Sequence, residues 1–309
     1  LLGLIFETLG SRQGEGALKE PHTIWGRWRI QLADRLWGSE SRTRLRLFEL
    51  AFATQYLVWM GMLGLHGTDW LGQEGFHVNL SPLGVESFPN WPRLSVWGVW
   101  VFLVVLAAGV GLVFLNRWKR LGFAFCAATA IYARFADPAS AFTLSHLNIL
   151  VWLILMTAPP EVGGRVSLTP IRLCQALLLL LYWNAGLAKV VHGDWWDHDG
   201  VVASFMPGKY RTELSAWMVR GMADWSWEAM KWSILGFELT APLLFFFRPL
   251  RIFALLLGVG FHLGIAVSFW SLGPFSLHCV TILRCSCPLP GLGGSGIGLE
   301  SVAGRKVPT

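Results

Sequence analysis

Charge is scarce in this chain. Only 14% of its 309 residues are Asp, Glu, Lys or Arg, where soluble domains carry about 25%. That deficit, with a mean hydropathy of +0.50, excludes an ordinary water-soluble domain. Tyrosine is scarce too, four residues against eighteen tryptophans and twenty phenylalanines. Such an aromatic excess suits lipid-facing helices and interfacial belts. No internal repeat is visible, which excludes a solenoid. Leu1–Leu9 is apolar but short, contains Glu7 and has no basic residues before it. It therefore does not read as a cleavable signal peptide, and the first span is expected to act as an uncleaved anchor.

Cysteine is also limiting, with five residues. Cys126 and Cys174 lie in apolar runs and read as small buried hydrophobes. Cys285 and Cys287 form a C-x-C with no second pair at zinc spacing, so neither a disulfide framework nor a metal site is expected. The net charge is +6, but the basic residues gather in Arg12–Arg46 and in short loops. This is the positive-inside pattern of a membrane protein, and membrane lipid rather than nucleic acid is the expected partner.

Long apolar runs are what the sequence has in abundance. A bilayer span needs roughly 20 apolar residues. Candidates are Leu47–Leu65, Leu94–Leu115, Leu121–Phe135, Phe142–Ala158, Leu173–Val191, Trp232–Phe247 and Ile252–Trp270, and Leu272–Leu283 can begin an eighth. The expected fold is all-α, a polytopic transmembrane helical bundle of about seven to eight spans. Residues 1–46 form a cytoplasmic basic leader, in which Ile24–Trp37 reads as an interfacial amphipathic helix or as a pre-helix docked on the bundle. Residues 47–283 form the membrane domain. Residues 284–309, rich in Pro and Gly, read as a disordered or truncated tail.

Loop charges set the orientation. Arg42, Arg44 and Arg46, then Arg117, Lys119 and Arg120, then Arg165 and Arg172, then Arg248 and Arg251 all fall on one side if seven spans are counted. The opposite loops His66–Arg93 and Asp137–Thr143 carry almost no basic residues. The N-terminus is therefore expected in the cytoplasm and the His192–Lys231 loop on the outer face. A bacterial inner membrane fits this arrangement.

Ionisable groups inside a span are costly and mark candidate sites. Lys189 is the sharpest, at the outer end of the fifth span. Burial among Leu187, Val190 and Val191 would disfavour an ammonium, and a neutral amine is a usable base or nucleophile. The other reading is a lysine snorkelling to the interface or pairing with Asp194. Just beyond it come His192, Asp194, Trp195, Trp196, Asp197, His198 and Asp199. They lack the spacing of a helical two-histidine zinc motif and read as the rim of a pocket. Glu238 is expected to pair with a basic group inside the bundle, and Glu49 with Arg44 or Arg46. His262 reads as a proton relay, a ligand or a satisfied bundle histidine. His146 follows an outer loop, at about the depth of Lys189, so the two can share one pocket.

Several segments together resemble one family. Ala185–Lys189 (AGLAK) followed by Gly193–Asp197 (GDWWD) resembles the signature of the HTTM membrane domain, shared by vitamin K-dependent gamma-carboxylases and bacterial homologues. Phe237–Glu238 with Pro242, Phe261–Ala266 (FHLGIA), Gly273–Ser276 (GPFS) and Asp137–Leu147 (DPASAFTLSHL) are similar to further pieces of that domain. The resemblance covers roughly Thr43 to Leu277. It implies that Lys189 is the base that deprotonates a reduced vitamin K or another quinol. It implies His146 near the quinone, and Asp194, Trp195, Trp196, Glu238 and His262 around the substrate. Oxygen addition then gives an epoxide and a strong base, which removes a gamma proton from glutamate before carbon dioxide adds. Relatives that help mature an exported peptide imply another role, that of a non-enzymatic membrane factor.

Overall fold

A computed structural model describes residues 39–75, 91–136, 143–159, 165–191, 195–196, 202–203, 212–269 and 272–284. The leader before residue 39, the loop carrying Asp194, Asp197 and His198, and the tail after 284 lie outside the described residues. Within them the chain is almost wholly helical. Helix α1 is Arg42–Leu65, followed by the single turn α2 at Gly67–Trp70. Then come α3 (Val96–Phe114), α4 (Lys119–Ala136), α5 (Thr143–Met156) and α6 (Thr169–Val191). A short helix α7 (Glu213–Gly221) precedes α8 (Asp224–Phe246), α9 (Arg251–Ser268) and α10 (Gly273–Arg284).

Five of these helices, α1, α3, α6, α8 and α9, are long and apolar enough to cross a membrane. The count of seven to eight expected from hydropathy is thus met by length and composition for five. Helix α4 carries Lys119, Arg120 and Arg134 within 18 residues, while α5 has 14 and α10 only 12. The sixth candidate span begins two turns earlier than expected, at Asp224 rather than Trp232. The segment WSWEAMKW is too polar for a hydropathy window yet has no residue that breaks a helix. The all-α class fits, with one short ribbon beside the helices. Strands β1 (Ser39–Ser41) and β2 (Arg165–Ser167) pair antiparallel, with Glu40 opposite Val166.

The helices run alternately up and down. Arg46 at the start of α1 donates through Nη2 to the Phe114 carbonyl at the end of α3 (2.8 Å), and Arg120 at the start of α4 donates to the Ala158 carbonyl after α5 (3.1 Å). Arg172, Phe245, Arg251 and Leu283 meet around one small cavity, so the start of α6, the end of α8, the start of α9 and the end of α10 share an end of the bundle. The ribbon joins the chain before α1 to the chain before α6. Arg46, Lys119, Arg120, Arg172 and Arg251 therefore mark one basic end.

The core is aromatic. Trp152 of α5 is fully buried and meets Phe52 (5.0 Å between ring centroids), Tyr56 (5.3 Å) and Phe123 (5.9 Å). The Tyr56 hydroxyl lies 3.0 Å from the Cys126 carbonyl and 2.9 Å from Thr129 Oγ1, so this polar tip is satisfied inside the bundle. Helices α3 and α4 pack closely through glycines: a Cβ at Gly122 would sit 2.8 Å from the Gly109 carbonyl oxygen. Outward faces are apolar as well. Trp97, Trp100, Val101 and Val104 of α3 are all exposed. A soluble protein rarely exposes so large an apolar patch; lipid is the solvent that suits it.

Candidate functional site

The site begins with a notch in α6. Tyr182, Gly186 and Lys189 follow one another at four- and three-residue steps and so share a face. Gly186 lets α8 approach: a Cβ there would meet Glu238 Cβ at 3.1 Å and Leu239 Cδ2 at 3.0 Å. That closeness brings Lys189 onto Glu238. Its Nζ lies 2.8 Å from Oε1 and 2.7 Å from Oε2. Glu238 is buried, and the Lys189 side chain is 24% exposed. Pro242, one turn on, has no N–H to offer the Glu238 carbonyl.

Trp195 closes the other side of the lysine. It is buried, and Lys189 Nζ lies 5.3 Å from its ring centroid, within cation–π range. Trp196 points elsewhere. Its Nε1 donates to the Val190 carbonyl (3.1 Å), and its ring lies 5.4 Å from Trp232 of α8. Leu187, Val190 and Val191, expected to desolvate the amine, are all exposed on the outside of α6. The shielding comes from Glu238 and Trp195, so the lysine is held as one half of an ion pair rather than as an amine in an apolar sleeve. Asp194 lies outside the described residues.

A second cluster sits deeper on the same helices. His262 of α9 is fully buried and its Nε2 is hydrogen-bonded to the Tyr182 hydroxyl. Phe261 (5.2 Å) and Phe275 (5.7 Å) face its ring edge-on, and Phe237 meets Tyr182 at 5.3 Å. His262 Nδ1 is buried with no hydrogen-bond partner among the described residues. His146 is placed differently. It is exposed, and Arg134 Nε donates to its Nε2 at 3.1 Å. It shares no hydrogen bond or ring contact with Lys189, so the expected common pocket is not formed by direct contact.

Two features escape a reading of the sequence. Lys231 is buried and pairs with Glu228 at 2.7 Å, three residues back on α8. Glu228, Lys231, Leu235 and Glu238 follow at three- and four-residue steps, so both ion pairs lie on one stripe of the helix. The i,i+3 spacing of Glu228 and Lys231 is the available signal, once the helix is known to start at Asp224. His278 of α10 is the other. It is fully buried, with Nδ1 2.7 Å from the Pro274 carbonyl and Phe52 edge-on at 5.0 Å. No spacing rule singles it out.

A large apolar cavity of about 560 Å³ lies beside this stripe, between α7, α8 and α9. Met218, Met230, Phe237, Phe261 and Phe269 line it, and Lys189 does not. Among the described residues no group of three or more His, Cys, Asp or Glu side chains is arranged to hold a metal ion.

Fold and site together define a helical membrane protein with a paired lysine at the end of the bundle opposite its basic loops. No protein-family model, curated protein or solved structure matches the chain.

Proposed function

We propose that this is a polytopic inner-membrane protein of the gamma-carboxylase-like class, with Lys189 as the base at its outer face. In this reading α1, α3 to α6 and α8 to α10 give about seven to eight spans, the shorter ones absorbed by tilt and packing. The basic end faces the bacterial cytoplasm, in keeping with the positive-inside rule. The observation that carries the reading is the Lys189–Glu238 pair beneath Trp195.

The chemistry of this reading is the one that the resemblance to the gamma-carboxylases implies. Lys189 hands its proton to Glu238, leaving a neutral amine beside a neutral acid. The amine then takes the hydroxyl proton of a reduced vitamin K or another quinol, and oxygen adds to the quinolate. Trp195 forms the mouth, while His262 and Tyr182 lie deeper along the same wall.

The test is a quinol-epoxidation assay in reconstituted membranes, comparing wild type with Lys189→Ala and Glu238→Gln. A lost general base lowers the rate about 10²–10⁴-fold. Epoxidation that is unaffected by Lys189→Ala sinks the base role. A second reading is favoured by one observation: the 560 Å³ apolar cavity does not include Lys189 in its lining. It makes the protein a non-enzymatic factor that binds or matures an exported peptide or lipid. Absence of epoxidation in wild type and variant alike favours that reading.

A further inference from the structure

The basic end of the bundle holds a cavity of about 230 Å³ between the start of α1, the α3–α4 turn and the end of α5. It lies at the opposite end of the bundle from Lys189 and rests on the reading above only for the cytoplasmic placement of this end. Its wall carries four cations, Arg42, Arg46, Lys119 and Arg120, against one carboxylate, Glu49. Glu49 does not discharge them; it aligns two of them, with Lys119 Nζ 2.9 Å from Oε1 and Arg46 Nη1 3.1 Å from Oε2. Backbone carbonyls hold two of the guanidiniums. Arg46 Nη2 is anchored on Phe114 and Arg120 Nη2 on Ala158. A carbonyl fixes a guanidinium without neutralising it, and each guanidinium has further N–H donors. Arg46, Lys119 and Arg120 against the one carboxylate Glu49 therefore leave a positioned excess of positive charge around this small cavity.

One neutral group adds chemical detail. Asn116 lines the cavity, and its Oδ1 is buried with no donor among the described residues. The residue caps α3 with φ of 55°, and the amides of Asn116 and Arg117 bond back to Val113 and Leu112. This is a Schellman cap, so the backbone itself fixes where the amide sits. An acceptor held among cations calls for a ligand that brings a hydroxyl as well as an anion. Depth is set by the neighbours. Phe114, Leu115 and Trp118 are exposed around the same turn, as apolar and aromatic residues are at a lipid interface. Sites for drug-sized ligands occupy roughly 300–1,000 Å³, so this one suits a head group rather than a whole molecule.

We propose that this cavity binds a phosphate ester bearing a free hydroxyl, supplied by the glycerol head group of an anionic phospholipid or by a soluble glycerol phosphate. The cations take the phosphate and Asn116 Oδ1 accepts from the hydroxyl. Basic pockets between helices on the cytoplasmic side are suited to such head groups.

The experiment titrates the purified full chain in neutral detergent with phosphatidylglycerol, phosphatidylcholine and phosphatidic acid, reading lipid-bound species by native mass spectrometry. Phosphatidylglycerol is expected to saturate one site at least tenfold more tightly than phosphatidylcholine. Arg42→Gln with Arg120→Gln should weaken it at least tenfold, whereas Arg284→Gln, a basic residue outside the cavity, should leave it unchanged. Asn116→Gly keeps the left-handed cap and should abolish the preference for phosphatidylglycerol over phosphatidic acid. Competition by sn-glycerol 3-phosphate at micromolar concentration identifies a soluble source; its failure to compete identifies the lipid. Phosphatidylglycerol binding no tighter than that of phosphatidylcholine, or untouched by Arg42→Gln with Arg120→Gln, overturns the proposal.

Discussion

A single buried carboxylate decides the character of the candidate site. Glu238 has little contact with solvent, and Lys189 is its hydrogen-bonded cation. Removing one partner of a buried pair typically costs about 3–5 kcal/mol, while replacing both with apolar groups is often neutral. Lys189 is partly exposed, so Lys189→Ala should lie near the low end, about 3 kcal/mol. Lys189→Met with Glu238→Leu should recover most of that loss. Thermal unfolding in detergent over the double-mutant cycle checks this, and additive single losses would mean that the pair is not coupled. Lys189 and Glu238 were both legible as costly groups inside apolar runs. Their pairing was not, because 49 residues separate them and only the packing of α6 on α8 supplies the partner. His278 was not legible at all; its polar need is met locally by the Pro274 carbonyl, and nothing in its spacing announces that.

The notch at Gly186 governs the contact between α6 and α8. Ala at that position would sit 3.0–3.1 Å from Leu239 and Glu238, so those side chains must give slightly. Leu has no such space. Overpacking a close contact costs about 1–3 kcal/mol. Gly186→Leu should lose at least that much, measured as a lowered unfolding midpoint, and should part Lys189 from Glu238. Gly186→Ala should fall between Leu and wild type. The extent of α8 shows what sequence patterns miss at this scale. Hydropathy found its apolar centre but not its first two turns, because the bilayer interface rewards Trp and charge together. That missed stretch holds Trp227, Glu228 and Lys231, all packed or paired in the folded helix.

For the whole molecule, the alternation of helices is the strongest link between sequence and structure. Loop charges predicted that the basic segments share one side. The bonds from Arg46 to Phe114 and from Arg120 to Ala158, with the cluster around Arg172 and Arg251, gather them at one end. Single cysteines can read the orientation proposed for this end. Arg117 and Arg220 are both exposed, at opposite ends of the bundle. With Cys285 and Cys287 changed to Ser, an impermeant maleimide applied to intact spheroplasts should label Arg220→Cys and spare Arg117→Cys until the membrane is opened. The reverse pattern would invert the topology. Cys126, Cys174 and Cys279 are buried and should contribute little background.

The ribbon between Ser39–Ser41 and Arg165–Ser167 is only three residues long on each side, yet it sets an order of events. Its two halves are separated in the chain by α1, α3, α4 and α5, so the first strand waits for its mate until the whole of that block has been made. During synthesis the early strand's backbone groups must be served by water or head groups. Closing the ribbon then exchanges those transient partners for a fixed one. The pairing therefore cannot precede synthesis of that block, and it closes where α6, the helix bearing Lys189, begins.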